Sequence, residues 1–206
     1  MFTVEDIKNI TAKLYAAVQE NQDYLGELDG KSGDGDLGIS MHAAFQAIDA
    51  VSKEYTDADI GKILFKMAKD CNKAAPSTMG TLISSGVMAM AKACKDKQSL
   101  EAGDVVNLPR VFTDAIMARG KAQPGDKTIL DALIPYCNAV ESAYAETSDL
   151  AGSFHKGGLA AEEASQATRG MRAKIGRAKW LGERAAKHPD AGAVLCAILA
   201  KSLTEV

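Results

Sequence analysis

The chain has 206 residues, 47% of them hydrophobic and 25% charged, with a formal charge of −3. That length supports one sizeable core, so a single unit over residues 1–206 is expected; with no basic surplus and no Lys/Arg stripe interleaved with aromatics, nucleic acid is not expected as a partner. No apolar run approaches the roughly 20 residues that span a bilayer, and the opening Met1-Phe2-Thr3-Val4-Glu5-Asp6 lacks a secretory layout, so the expectation is a cytoplasmic protein without membrane association.

The apolar periodicity is helical almost throughout. Val4, Ile7, Ile10, Leu14 and Val18 recur at three- and four-residue spacing behind a Thr3/Asp6 capping pair, which predicts a first helix from Val4 to the low twenties. Further helical faces follow at Met41 to Val51, Ile60 to Met67, Leu82 to Cys94, Val111 to Met117, Ile129 to Val140, Leu159 to Met171 and Ala191 to Leu203. No segment alternates β-branched and aromatic residues, and aromatics are only 5% of the chain, so the core must pack through Leu, Ile, Met and Ala. An all-α fold of about eight helices, an antiparallel bundle or barrel, is the natural architecture. Cys71, Cys94, Cys137 and Cys196 stand far apart with no C-x-x-C pair and read as small core residues rather than zinc or redox ligands.

Four clusters between the helices carry the candidate chemistry. The first, Leu28 to Gly38, packs Asp29, Asp34 and Asp36 with four glycines; carboxylates so close repel one another unless a cation sits among them. Hard oxygen ligands suit Mg²⁺ or Ca²⁺. An EF-hand register fails because Gly38, Ile39 and Phe45 fall where a ligand, the invariant glycine and the bidentate Glu belong, leaving magnesium as the better match and a plain acidic helix cap as the rival. The second, Ala75 to Thr81, offers the Ser77 and Thr78 hydroxyls and backbone N–H groups at a helix start, which serves either as an anion site or as an ordinary cap.

The third, Arg119 to Asp131, combines a Pro124-Gly125 turn with Lys121 and Lys127, which either reach a phosphate or lie solvated. The fourth runs from Gly176-Arg177-Ala178 to Asp190-Ala191-Gly192; Arg177 suits bidentate phosphate recognition, and Asp190 precedes the last helix as a cap or as an acceptor for a ribose or base. Neither G-x-x-x-x-G-K-[ST] nor G-x-S-x-G occurs, so the Walker-type phosphate loop and covalent hydrolysis are not indicated.

In this order the four clusters resemble the L subunit of dihydroxyacetone kinases over nearly the whole chain. The likeness rests on Asp29 with Gly33-Asp34-Gly35-Asp36-x-Gly38, on Gly120-Lys121-Ala122 with Pro124-Gly125-Asp126-Lys127-Thr128, on Gly176-Arg177-Ala178 with Leu181-Gly182-Glu183-Arg184, and on Asp190-x-Gly192-Ala193. The resemblance implies an eight-helix barrel in which Asp29, Asp34 and Asp36 bind two Mg²⁺ ions bridging the phosphates of ADP or ATP. It implies that Ser77, Thr78 and Gly80 face those phosphates, that Thr128 and Ile129 line the nucleotide pocket, and that Arg177 and Asp190 contact the nucleotide. It also implies γ-phosphoryl transfer to a short ketose held on a separate K subunit. The donor would be either exchanging ATP or a phosphohistidine carrier protein of the phosphotransferase system that recharges bound ADP; a stand-alone chain of this length favours the second.

Leu37 and Ser40 stand where the family usually has a polar residue and Asn, and the second cluster holds less glycine than is usual. These departures keep a nucleotide-loaded adaptor without phosphoryl transfer as the alternative, and they widen the expected substrate to a related triose or tetrose. Self-association as a homodimer is left open.

Overall fold

The computed structural model describes residues 1–204, and helices dominate them. In chain order these are α1 (Val4–Glu20), α2 (Gln22–Gly30), α3 (Leu37–Glu54), α4 (Ile60–Ala74), α5 (Thr78–Ala93), α6 (Ala102–Gly120), α7 (Leu130–Thr147), α8 (Leu150–Ala167), α9 (Glu183–Ala186) and α10 (Ala191–Ser202), with one 3₁₀ turn at Arg177–Leu181. The helix starts are set by side chains that occupy free N–H groups: Asp6 accepts from the Thr3 N–H at 2.7 Å, Asp59 from Lys62 at 3.0 Å, Asp149 from Gly152 at 3.1 Å and Asp190 from Ala193 at 2.8 Å. No strand occurs among the described residues, only an isolated bridge between Phe2 and Leu100.

Packing contacts run α1–α3–α4–α5–α6–α7–α8–α10 and return from α10 to α1, closing a ring of eight helices. Each long helix reverses the direction of the one before it around this ring: most links are short, Gly38 at the start of α3 abuts Gln22 just after α1, and the Asp190 N–H at the start of α10 donates to the Thr168 hydroxyl at the end of α8. The faces the sequence marks with Leu, Ile and Met point inward: Ile7, Met41, Ile60, Met67, Ile83, Leu130 and Leu195 are all buried. All four cysteines are free and buried, as expected of core residues. The ring is not filled to its axis; an apolar cavity of about 260 Å³ remains, walled by residues such as Phe45, Leu64, Phe112, Leu133 and Phe154.

Two differences from the sequence expectation bear on the site. Asn21 interrupts the first helix, its side chain donating back to the Ala17 carbonyl at 2.8 Å, and the chain resumes as α2, which the periodicity did not reveal. Asp29 therefore sits on the last turn of a helix, not in a loop between helices. Helix α8 begins nine residues ahead of the expected Leu159, because its inward face is built from Ser153, Gly157, Gly158 and Ala161 instead of large apolar residues. No described helix is long and apolar enough to cross a membrane.

Small residues set the distance between α7 and α8. A Cβ on Gly157 would run into Val140 and the Tyr136 ring, whereas one on the exposed Gly103 would meet nothing. Gly157→Val is expected to lower unfolding free energy by about 1–3 kcal/mol through overpacking, and Gly103→Ala to raise it by about 0.5–1 kcal/mol; urea denaturation of the two variants measures both.

Candidate functional site

The alternation of the ring decides where the connections go. The links α2–α3, α4–α5, α6–α7 and α8–α10 emerge at one end, and these contain all four clusters that the sequence singles out. The other end holds the chain start and the links after α3 and α5, where Phe2 pairs with Leu100 and Ile60 donates to the Lys97 carbonyl. At the first end the N-termini of α3, α5, α7 and α10 gather, each carrying the partial positive charge of a helix dipole.

The acid loop is folded by its glycines. Gly35 adopts φ +80° and donates its N–H to Asp29 Oδ2 at 2.9 Å. A Cβ on Gly38 would strike the Gln22 carbonyl, so only glycine allows α3 to start against α2. The result brings one carboxylate oxygen from each of Asp29, Asp34 and Asp36 within 4.8 Å of the others. Asp36 occupies the N-cap position of α3, yet its side chain makes no cap bond, so its oxygens are not spent on the helix. Three hard oxygen donors at this spacing fit an oxygen-seeking divalent cation such as Mg²⁺.

Arg177 reaches across to this loop and pairs with Asp34, both side chains remaining largely exposed. Exposed pairs of this kind contribute little net stability, so the guanidinium is available to another anion. Lys31, beside the acids, also acts on His188, whose titration is lowered first by partial burial and then by Lys31, Arg169 and Lys127. The fourth cluster thus lies over the first.

Ser77 caps α5, its hydroxyl accepting from the Gly80 N–H at 3.1 Å, and Gly80 is required because a Cβ there would hit the Ala75 carbonyl. Thr78 follows as the exposed first residue of the helix. Met79 and Ile129 both pack where a Cβ on Gly192 would be, which joins the second, third and fourth clusters. Asp190 caps α10 and is only partly exposed; burial pushes its carboxyl up to about 6.

Several residues sit differently from their sequence expectation. Lys127 does not reach outward to a phosphate: it is buried, with its Nζ donating to backbone carbonyls. Ile129 is buried in the core and lines the central cavity, so its side chain faces the apolar interior. Leu37 joins that core as well, which accounts for an apolar residue directly after Asp36. Asp131, which spacing alone did not mark, organises the third cluster by accepting from Gly125 and from Thr128, each at 2.6 Å.

Removing one donor of the acid cluster should leave the fold intact, since Asp36 carries no cap. Asp36→Ala is expected to weaken binding of Mn²⁺, used as the probe ion, by more than about tenfold without loss of far-ultraviolet helicity; unchanged Mn²⁺ affinity would refute the metal assignment. Because the folded Asp190 carboxyl titrates near 6 against an ordinary 3.8, its contribution is present at low pH and lost as pH rises through that window. Stability is therefore expected to fall between about pH 4 and pH 6 in the wild type, and Asp190→Asn, which keeps the cap acceptor, to flatten that slope in thermal melts.

A family model described as the DAK2 domain matches residues 31–205. The chain is 32% identical over 171 residues to the PEP-dependent dihydroxyacetone kinase, ADP-binding subunit DhaL, of Escherichia coli, covering 83% of this chain and 81% of that one. It is 31% identical over 206 residues to the PTS-dependent dihydroxyacetone kinase, ADP-binding subunit DhaL, of Lactococcus lactis, covering 100% and 99%. Its fold matches the crystal structure of the dihydroxyacetone kinase from C. freundii in complex with AMP-PNP and Mg²⁺, with a TM-score of 0.75 at 20% identity, over 96% of this chain and 33% of that longer one. With most of its length inside the DAK2 model and full-length likeness to DhaL subunits, the chain belongs to the DAK2-domain family of dihydroxyacetone kinases.

Proposed function

We propose that this chain is the nucleotide-binding subunit of a two-part cytoplasmic kinase, and that it works on a short ketose carried by a separate K-type subunit. The observation that carries this reading is the approach of three carboxylates to within 4.8 Å at the end of the ring where four helix N-termini point. Acids there favour a divalent cation and helix N-termini favour phosphate, so the end as a whole suits a metal–nucleotide complex better than either ion alone. The description of two full-length relatives as ADP-binding subunits supports the same reading.

Asp29, Asp34 and Asp36 would hold two Mg²⁺ ions, which when bound neutralise the charge of the β- and γ-phosphates. The first turn of α5, with Ser77, Thr78 and Gly80, would present N–H and hydroxyl donors to phosphate oxygens. Thr128 and the backbone at Ile129 would border the adenosine, and Asp190 would accept from it. Arg177, released from Asp34, would place its guanidinium on the transferring group, where a planar two-donor fork matches phosphoryl oxygens.

Transfer breaks the bond between the γ-phosphorus and the bridging oxygen and forms one to a ketose hydroxyl, whose proton leaves to the partner subunit. Such chemistry depends on positioning and charge, which metal ions and an arginine would supply here. The donor in this reading is a phosphohistidine carrier protein of the phosphotransferase system that recharges ADP in place, and the acceptor is dihydroxyacetone or a related triose or tetrose.

Thermal unfolding of chelator-stripped protein with ADP, with Mg²⁺, and with both tests the site. Both together at about 100 times the Kd should raise Tm by about 5–10 °C while neither alone does; no rise under any condition would sink the proposal. Reconstitution with a K-type subunit then separates the kinase from an adaptor, which would bind nucleotide and yield no phosphorylated ketose.

A further inference from the structure

Between α8 and α10 the chain leaves the ring for an excursion of residues 171–188, which carries Arg177 to Asp34 of the acid loop. Its short helical pieces pack mainly on each other and not on the barrel. Gly176 and Gly182 turn it with φ +67° and +51°. The excursion is tied down at its base by polar contacts. The Gly170 N–H donates to the Ala186 carbonyl at 2.8 Å, and the Lys174 N–H donates to the Asp126 carbonyl at 3.1 Å.

One side chain gathers both ends of this excursion. Lys127 is only 3% exposed, and its own backbone is in the left-handed region at φ +62°. Its Nζ donates to the carbonyls of Met171 at 3.3 Å, Ala185 at 2.8 Å and His188 at 2.7 Å. An ammonium has three protons, and here each has a backbone acceptor. Burying such a charge costs several kcal/mol, and an apolar side chain of similar volume would fill the space at less cost. What the ammonium supplies and an apolar group cannot is a fixed point to which residues 171, 185 and 188 are all bound.

We propose that Lys127 is a positioning residue: its ammonium clasps the two ends of the 171–188 excursion, holds Arg177 at the mouth of the acid loop, and so acts on the nucleotide through Arg177 without touching it. This rests on the nucleotide reading above for its functional half, while the clasp itself is testable in the ligand-free protein. It also explains why the third and fourth clusters, 50 residues apart in sequence, work as one site: the residue after Asp126 is the floor on which Arg177 is mounted.

Trp180 is the chain's one tryptophan, 83% exposed and on the same 3₁₀ turn as Arg177, so its emission reports on the excursion alone. In Lys127→Met, time-resolved anisotropy of Trp180 without ligand should gain fast motion while helicity holds. Affinity for ADP with Mg²⁺ should drop about tenfold, the equivalent of one charge-assisted contact. Lys127→Arg, which keeps the charge and donors, should recover part of both. In the double variant Lys127→Met with Arg177→Ala, the loss should exceed that of Arg177→Ala by no more than about twofold, because a residue acting through Arg177 has nothing left to position.

Unchanged anisotropy in Lys127→Met, or losses that multiply in the double variant, would overturn the proposal. Should Lys127→Met fail to fold, Lys127→Gln retains two donors and is read by the same two criteria. A wild type that binds no ADP with Mg²⁺ defeats the nucleotide reading, and the ligand-free anisotropy still decides whether the clasp exists.

Discussion

An even number of helices alternating in direction around a closed ring is the constraint on which the rest of this structure depends. Only with an even count do the first and last helices also run antiparallel, and only then does every second connection emerge at the same end. The eight ring helices meet that condition, with α10 closing against α1. Four N-termini are thereby fixed at one end by topology, before any side chain is chosen. A surface whose backbone N–H groups suit an anion follows from the helix ends alone, with no strand–loop–helix motif required.

The same arrangement makes the acid cluster tolerable. Three carboxylates within 4.8 Å repel, and in the free protein the nearby positive ends of the helices and the Arg177 guanidinium offset part of that repulsion. The glycines of the acid loop serve this directly, since Gly33 leaves room beside Asp29 and Gly35 supplies it with an N–H. Loop and helix ends are thus complementary: one gathers negative charge, the other supplies a positive field.

Inside the ring the energetics differ. Helices approach through glycine, alanine and serine at some contacts and through Leu, Ile and Met at others, and the interior keeps a cavity. Polar links cross the ring on the outside, as where Arg110 forks onto Glu141 at 2.8 Å and donates to Asn138 at 2.6 Å, joining α6 to α7. The 171–188 excursion has little apolar burial and depends on directed contacts, so rigidity at the site comes from hydrogen bonds where rigidity of the barrel comes from packing.

The sequence by itself determined the helical class, eight apolar faces, the caps at Thr3, Ser77 and Asp190 and the three acids, because each is a local matter of periodicity or of a side chain meeting its own backbone. Helix α2 escaped it, since Gln22–Gly30 has two glycines and a weak apolar face; so did the early start of α8, whose inward face is small residues. Spacing left the first, second and fourth clusters with a capping alternative, and for Ser77 and Asp190 the cap is present. Only the tertiary structure decided that the four connections meet, that Arg177 pairs with Asp34, and that Lys127 is buried against carbonyls 44 to 61 residues away. A lysine in a polar turn reads as solvated until the chain that covers it is placed, and contacts between distant segments are set by ring closure, which no local pattern encodes.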